Sequence, residues 1–301
     1  KVLGIPMRGH AYTLFYRKDV FDSLGLKPPT TWAELEQTAQ TIQSKTKLTG
    51  ITPYYGINGG QNVFTWVSLL WSNGGDIFDA KNKPIFNNAA GVEATQRYVD
   101  WLNKLKITPA GSKTFTEGDG ANEMVAGRTA MWIGWSWYYA NFTNKALVAP
   151  EALGNIAFAS IPSWEGKGTS ASYGQIWETG IMKGSKQKDA AWEYLKWMTN
   201  PITEKWVALD KTDKKRDNVV VVHASNMQDA DVNKLHAGLQ QNMLNVLKTA
   251  RTEPLIPDWL QVQGLLETSL NQMAGGAPVQ ATLDKTAAEL TTLLTQLGYY
   301  K

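Results

Sequence analysis

The sequence predicts an α/β fold with helical elaboration, and three observations carry that prediction. Short apolar or β-branched runs alternate with helical stretches early in the chain, and helices dominate late. Hydrophobic residues make up 43% and charged residues 19%, enough apolar material for a sizeable core. The 301 residues correspond to about two ordinary domains.

Each element follows from a local signal. Lys1-Val2-Leu3-Gly4-Ile5-Pro6 reads as a strand entering a turn, and Arg17 to Leu24 as a short helix closed by Gly25. Pro28-Pro29-Thr30 breaks the chain; Thr31 and Glu34 then form a capping box, and Leu35, Ala39 and Ile42 continue a helical face toward Gly50. Tyr54 to Gly60 is loop, Val63 to Trp71 helix, and Asn73-Gly74-Gly75-Asp76 its end. Asn88 caps a helix running to about Leu105, with Val92, Tyr98, Val99 and Leu102 on its buried side. Another helix ends at Gly127, and Thr129 to Ile133 is a buried strand. Asp189 to Met198 is helical up to Asn200-Pro201, and Val219 to Val222 is a β-branched strand. Helices are expected over about 229–250, 258–273 and 279–297, the last carried by Leu283, Ala287, Leu290, Leu294 and Leu297.

Composition removes several function classes. Lys and Arg total 30 against 27 Asp and Glu, a net charge of +3, too even for a nucleic-acid binder. No apolar run approaches the roughly 18 residues of a membrane helix. The absence of cysteine excludes disulfides, thiol nucleophiles and Cys-ligated zinc. His10, His223 and His236 have no second ligand one helical turn away, and no HExxH, P-loop or GxGxxG occurs. Neither a metal nor a cofactor is expected. Ser136 lacks the second glycine of a nucleophile elbow. Glu117-Gly118-Asp119-Gly120 lacks EF-hand spacing and reads as a solvated loop, as does Asp210 to Asp217. A carboxylate pair for glycoside hydrolysis stays open, because that pairing is spatial.

Tryptophan is the outlier, at 13 residues. Trp66, Trp71, Trp101 and Trp192 fall on apolar helix faces and are assigned to the core, and Trp32 covers the start of its helix. The run from Met131 to Tyr139 is different: Trp132, Trp135, Trp137, Tyr138 and Tyr139 cannot all point into one core face, and alternation puts Trp135 and Trp137 on one side. Indole faces beside polar side chains are what a sugar cleft requires.

At these residues the chain resembles the sugar-type solute-binding proteins of bacterial ABC importers, the maltose-binding-protein-like family. The landmarks are Gly4-Ile5-Pro6, Leu14-Phe15-Tyr16-Arg17, Pro28-Pro29-Thr30-Thr31-Trp32, Gly74-Gly75 and Gly127-Arg128-Thr129-Ala130-Met131 leading into Trp137. Lys183-Gly184-Ser185, the helix around Ala190-Ala191-Trp192 and Pro254-Leu255-Ile256-Pro257 follow in order. Two departures stand out. The family carries a long further segment before Gly-Ile-Pro, and the usual Gly-Gly-Trp reads Gln175-Ile176-Trp177 here.

The resemblance implies a two-lobe periplasmic-binding-protein fold of type II, a hinged trap, with the N-terminal lobe incomplete in this chain. Residues 12–158 and 223–301 are expected to form the C-terminal lobe, 1–11 and 167–207 the remainder of the N-terminal lobe, and 159–166 and 208–222 the hinge crossings. Such a chain is expected to be unstable alone. Carried over by position, Arg8, His10 and Tyr12 follow the Gly-Ile-Pro strand, and Gln61 bonds a sugar hydroxyl. Trp137, with Trp135 beside it, supplies one stacking platform, and Trp177, after Gln175, another from the opposite lobe. Gln263 sits where some members place an aromatic, and Arg216 lies in the last hinge loop. The implied role is non-catalytic capture of a sugar, oligosaccharide or polyol and its delivery to ABC permease subunits. That implies a periplasmic or extracytoplasmic monomer, touching the membrane through the permease or a lipid anchor. A carbohydrate-active hydrolase and a lectin-like adhesive domain remain the alternatives.

Overall fold

The computed structural model describes residues 4–167, 171–210 and 221–300. One long strand organises them. β1 (Ile5–Arg17) does not turn after Pro6 but runs on to Arg17, 13 residues in all. Pro6, which has no N–H to donate, lies at a shift in register, where its cost to the ladder is least.

The two halves of β1 pair differently. Its first half runs antiparallel to β5 (Gly174–Thr179), Ile5 opposite Thr179 and Ala11 opposite Gly174. Its second half lies between β3 (Thr129–Trp135) and β4 (Ile156–Ser160), both antiparallel, with Tyr12 opposite Trp135 and Arg17 opposite Ile156. β2 (Thr49–Ile51) extends this part of the sheet parallel to β3. The exchange of partners falls between Ala11 and Tyr12, where the Tyr12 N–H donates to Tyr173 O at 2.9 Å.

Helices fill the rest: α1 (Lys18–Leu24), α2 (Trp32–Lys45), α3 (Gln61–Ser72), α4 (Ala89–Asn103), α5 (Glu117–Val125), α6 (Tyr139–Thr143), α7 (Lys188–Met198) and α8 (Pro201–Leu209). After these come α9 (Ala224–Met227), α10 (Ala230–Leu235), α11 (Leu239–Leu247), α12 (Trp259–Ala274) and α13 (Val279–Gln296). The expected caps are present. Gly25 adopts φ 67°, the Thr31–Glu34 box closes, and Asn88 accepts from Gly91 N. The main core spans β1–β3 and the helices α2–α4, α12 and α13, with Trp32, Trp66, Trp101 and Trp132 fully buried.

Five expectations need correction. The helix expected over 229–250 is two helices, because Ala237 and Gly238 both take positive φ, 52° and 84°. The Glu117-Gly118-Asp119-Gly120 stretch is no solvated loop but the first turn of α5, capped by a Thr116–Asp119 box, and Glu117 is buried. β2 stands where α2 was expected to continue, since Lys45 ends that helix. Val221 and Val222 are not strand, and residues 211–220 lie outside the described residues, the rest of that expected strand and loop with them. Trp192 is 46% exposed rather than core. Its neighbours share that exposure: on α7 and α8, Tyr194, Trp197 and Trp206 face outward while Leu195 and Ala208 are the buried residues.

Candidate functional site

The candidate residues gather where β1 changes partners. His10 lies opposite Gln175 on β5, and its buried ring stands edge-on between two indoles, 6.0 Å from Trp135 and 5.9 Å from Trp177. Loss of water, with a smaller push from the Arg8 charge, lowers its pKa to about 4, so the imidazole is neutral at physiological pH. Nδ1 has no partner among the described residues. An unmet buried acceptor or donor of this kind costs about 1–3 kcal/mol.

Two residues on, Tyr12 is fully buried beneath Trp135, ring centroids 4.8 Å apart. Its hydroxyl accepts from that of Tyr54 at 2.7 Å. Glu117 opens α5, and its carboxyl meets the Trp135 backbone N–H, which donates to Oε1 at 3.5 Å. A helix N-terminus favours a carboxylate by about 0.3–1 kcal/mol. Burial outweighs that here: it pushes the carboxyl up to about 8, despite the opposing bond from Trp135.

Gln61 opens α3 after Gly59 and Gly60, both at positive φ (65° and 80°). Its Oε1 accepts from Glu117 N at 3.0 Å and from Asn58 Nδ2 at 3.2 Å. The turn ahead of it is pinned from α12, where buried Glu267 accepts from Asn58 N and Gly60 N at 2.6 and 2.7 Å. Gln263 stands on the same helix, packed against Gly60 so closely that a Cβ there would lie 2.1 Å from its side-chain nitrogen. That packing is the contact the structure gives Gln263. On the far side, Trp177 donates through Nε1 to Gln175 Oε1 at 3.3 Å and is 53% exposed, with exposed Arg8 opposite it in register.

Trp137 departs from its expected place. The strand ends at Trp135, and Ser136–Tyr138 form a 3-10 turn, so alternation stops before Trp137. Half-buried, it stacks on Tyr138 at 3.9 Å instead of sharing a strand face with Trp135. Arg216 lies outside the described residues. Sequence reasoning missed Glu117, although Thr116-x-x-Asp119 has the spacing of a helix start and places Glu117 in the first turn.

The assembled groups are an imidazole, phenols, amides, a protonated carboxyl and indole faces. At neutral pH they offer hydrogen bonds and flat apolar surface, with the Arg8 charge at the edge. Among the described residues no cluster of His, Asp or Glu could hold a metal ion.

A family profile described as bacterial extracellular solute-binding protein matches residues 1–205. A Sinorhizobium fredii protein named as a probable amino-acid ABC transporter periplasmic-binding protein is 26% identical over 204 residues. The match takes in 67% of this chain and 44% of that protein, so the chain spans under half of that relative's length. Among solved structures, an Agrobacterium vitis ABC transporter solute-binding protein with bound D-mannitol superposes with a TM-score of 0.84 at 23% identity, over 100% of this chain and 75% of that one. A solute-binding protein of Agrobacterium radiobacter in complex with ribitol gives 0.79 at 25% identity, over 97% and 71%. By profile and by fold, this chain belongs to the bacterial extracellular solute-binding proteins.

Proposed function

We propose that the protein binds a neutral hydroxylated solute, a sugar, oligosaccharide or polyol, without transforming it, and delivers it to the permease of an ABC importer outside the cytoplasm. The observation that carries this reading is the neutral His10 between Trp135 and Trp177, with an unmet Nδ1 in their midst. A solute hydroxyl supplies the missing partner while the sugar's C–H face covers indole. An α-amino acid would bring an ammonium and a carboxylate together, and this wall has one fixed charge, Arg8, to meet them. The ribitol complex of the Agrobacterium radiobacter protein supports the polyol class.

In this reading residues 12–158 and 223–301 form one lobe, and 1–11 with 167–207 belong to the other. β1 passes between the two sheets at Ala11–Tyr12, and 159–166 serves as a second crossing; most of the crossing expected over 208–222 lies outside the described residues. The whole protein acts as a periplasmic or lipid-anchored monomer. The test is a calorimetric and thermal-shift screen of ribitol, D-mannitol, mono-, di- and oligosaccharides, and amino acids, with product analysis for cleavage. A solute at a hundred times its Kd is expected to add about 2.7 kcal/mol of stability without turnover. A response to amino acids alone, or sugar cleavage, would overturn the reading.

A further inference from the structure

The turn that leads into α3 is shaped from outside. Gly59 and Gly60 take consecutive positive φ values, and Gly60, at the N-cap, brings no side chain to hold the first turn of the helix. Two glycines in a row leave a chain many alternatives, so the local sequence does not select this conformation. Glu267 does. Buried on α12, 207 residues along the chain from Gly60, it accepts through one oxygen, Oε1, from both Asn58 N at 2.6 Å and Gly60 N at 2.7 Å. The same helix holds the flanks of the turn: Glu267 O accepts from Asn62 Nδ2 at 3.0 Å, and Asn271 Nδ2 donates to Tyr55 O at 2.8 Å. We propose that Glu267 is a positioning residue of the solute site: by fixing the 58–60 turn it sets the Gln61 amide with Nε2 free to donate to a solute oxygen. This rests on the binding role above, with Gln61 as one of its contacts.

The link from Glu267 to the solute runs through that one amide. Gln61 Oε1 accepts from Asn58 Nδ2 at 3.2 Å, inside the clamped turn, and from Glu117 N at 3.0 Å. Glu117 N is among the first N–H groups of α5, which have no acceptor within their own helix. Two donors fill both lone pairs of Oε1 and so decide which end of the amide is oxygen. The Nε2 end keeps two N–H donors, without a protein partner among the described residues. Donors set in advance need no ordering when the solute arrives. Without the Glu267 clamp the two glycines regain their alternatives, Asn58 leaves Gln61, and the amide loses its fixed orientation.

The test compares wild type with Glu267→Ala, Glu267→Gln, Gln61→Ala and the double variant of Glu267→Ala with Gln61→Ala. Residue-resolved amide hydrogen exchange is measured first, without solute. Glu267→Ala should speed exchange at least about tenfold at Asn58 and Gly60 and also at Glu117, while the amides of α2 exchange as in wild type. Gln61→Ala should release Glu117 and leave Asn58 and Gly60 protected. With ribitol, D-mannitol and maltose as probes, Glu267→Ala and Gln61→Ala should each lower affinity at least about tenfold, and the double variant no further than Gln61→Ala. Glu267→Gln retains an oxygen with two lone pairs and should bind at least about threefold more tightly than Glu267→Ala. Release of Asn58 and Gly60 without Glu117, affinity losses that add in the double variant, or equal losses in Glu267→Gln and Glu267→Ala would overturn the proposal. Should Glu267→Ala not fold, Glu267→Asp, one methylene shorter, takes its place, and wild-type protection of Asn58 and Gly60 there would overturn it equally. If no probe binds while exchange follows the stated pattern, the solute reading falls and the hold of Glu267 on Gln61 is still supported.

Discussion

Two tryptophans that flank one histidine have opposite energetic roles. Trp135 is buried among Tyr12, Phe64 and Tyr173, each edge-on to it. Truncating such a ring removes core packing, and Trp135→Ala is expected to cost about 3–5 kcal/mol of folding stability. Trp177 is half exposed and held by one bond to Gln175, so little of the fold depends on it. Its truncation should leave the melting temperature nearly unchanged yet lower solute affinity at least about tenfold, as for a binding hot spot. Parallel melting curves and calorimetric titrations of the two variants check this. A fall in melting temperature for Trp177→Ala with affinity intact would remove that ring from the site.

At the scale of the element, β3 is buried along its whole length, and the close fit begins with a glycine. The Trp132 ring folds over Gly134, two residues on and on the same strand face; a Cβ at 134 would stand 2.0 Å from it. Gly134→Ala therefore forces a packed indole to move, and overpacking of this kind costs about 1–3 kcal/mol. Gly184 has neither a close neighbour nor a positive φ, so Gly184→Ala should fall within about 0.5 kcal/mol of wild type. Urea midpoints for the pair measure the difference. Equal midpoints would mean that the Trp132 ring has room to move.

Across the whole molecule, two buried titrating groups shape stability in opposite directions. Glu117 rises from 4.5 to about 8 on folding, so its contribution is complete below pH 4.5 and is lost as pH climbs through 8. His10 drops from 6.5 to about 4; its contribution is complete above pH 6.5 and is lost as pH falls through 4. Unfolding free energy should therefore decline from pH 6.5 through about 8, where Glu117 alone of these two acts, and urea titrations should show that slope flattened in Glu117→Gln. A second molecular property is the outward aromatic face of α7 and α8, with Trp192, Tyr194, Trp197 and Trp206 all exposed. Exposed indole faces bind apolar dyes. Replacing Trp197 and Trp206 together by Ser is expected to reduce apolar-dye binding with the melting temperature unchanged, and undiminished dye binding would place the dye's contact elsewhere.

Much of the helical framework was legible from residues a turn apart. Thr31 with Glu34, Gly25, Asn88 and Asn200-Pro201 mark helix ends because a cap satisfies backbone groups within its own neighbourhood. The burial of Trp66, Trp71 and Trp101 followed from apolar periodicity in the same way, and the ordered landmarks pointed to the family. What the sequence could not decide depends on partners far along the chain. β1 continues past Pro6 because strands at 129–135, 156–160 and 174–179 supply its hydrogen bonds. Periodicity puts Trp192 on the apolar face of α7, but whether anything covers that face is not a property of the helix. Trp135 rather than Trp137 stands beside His10 because β3 ends at Trp135, and local alternation carries no information about where a strand stops. Glu117 is the sharpest case: its spacing announces a helix start, whereas its protonation depends on β1, β3 and α3 closing over it and excluding water, which only the tertiary fold arranges.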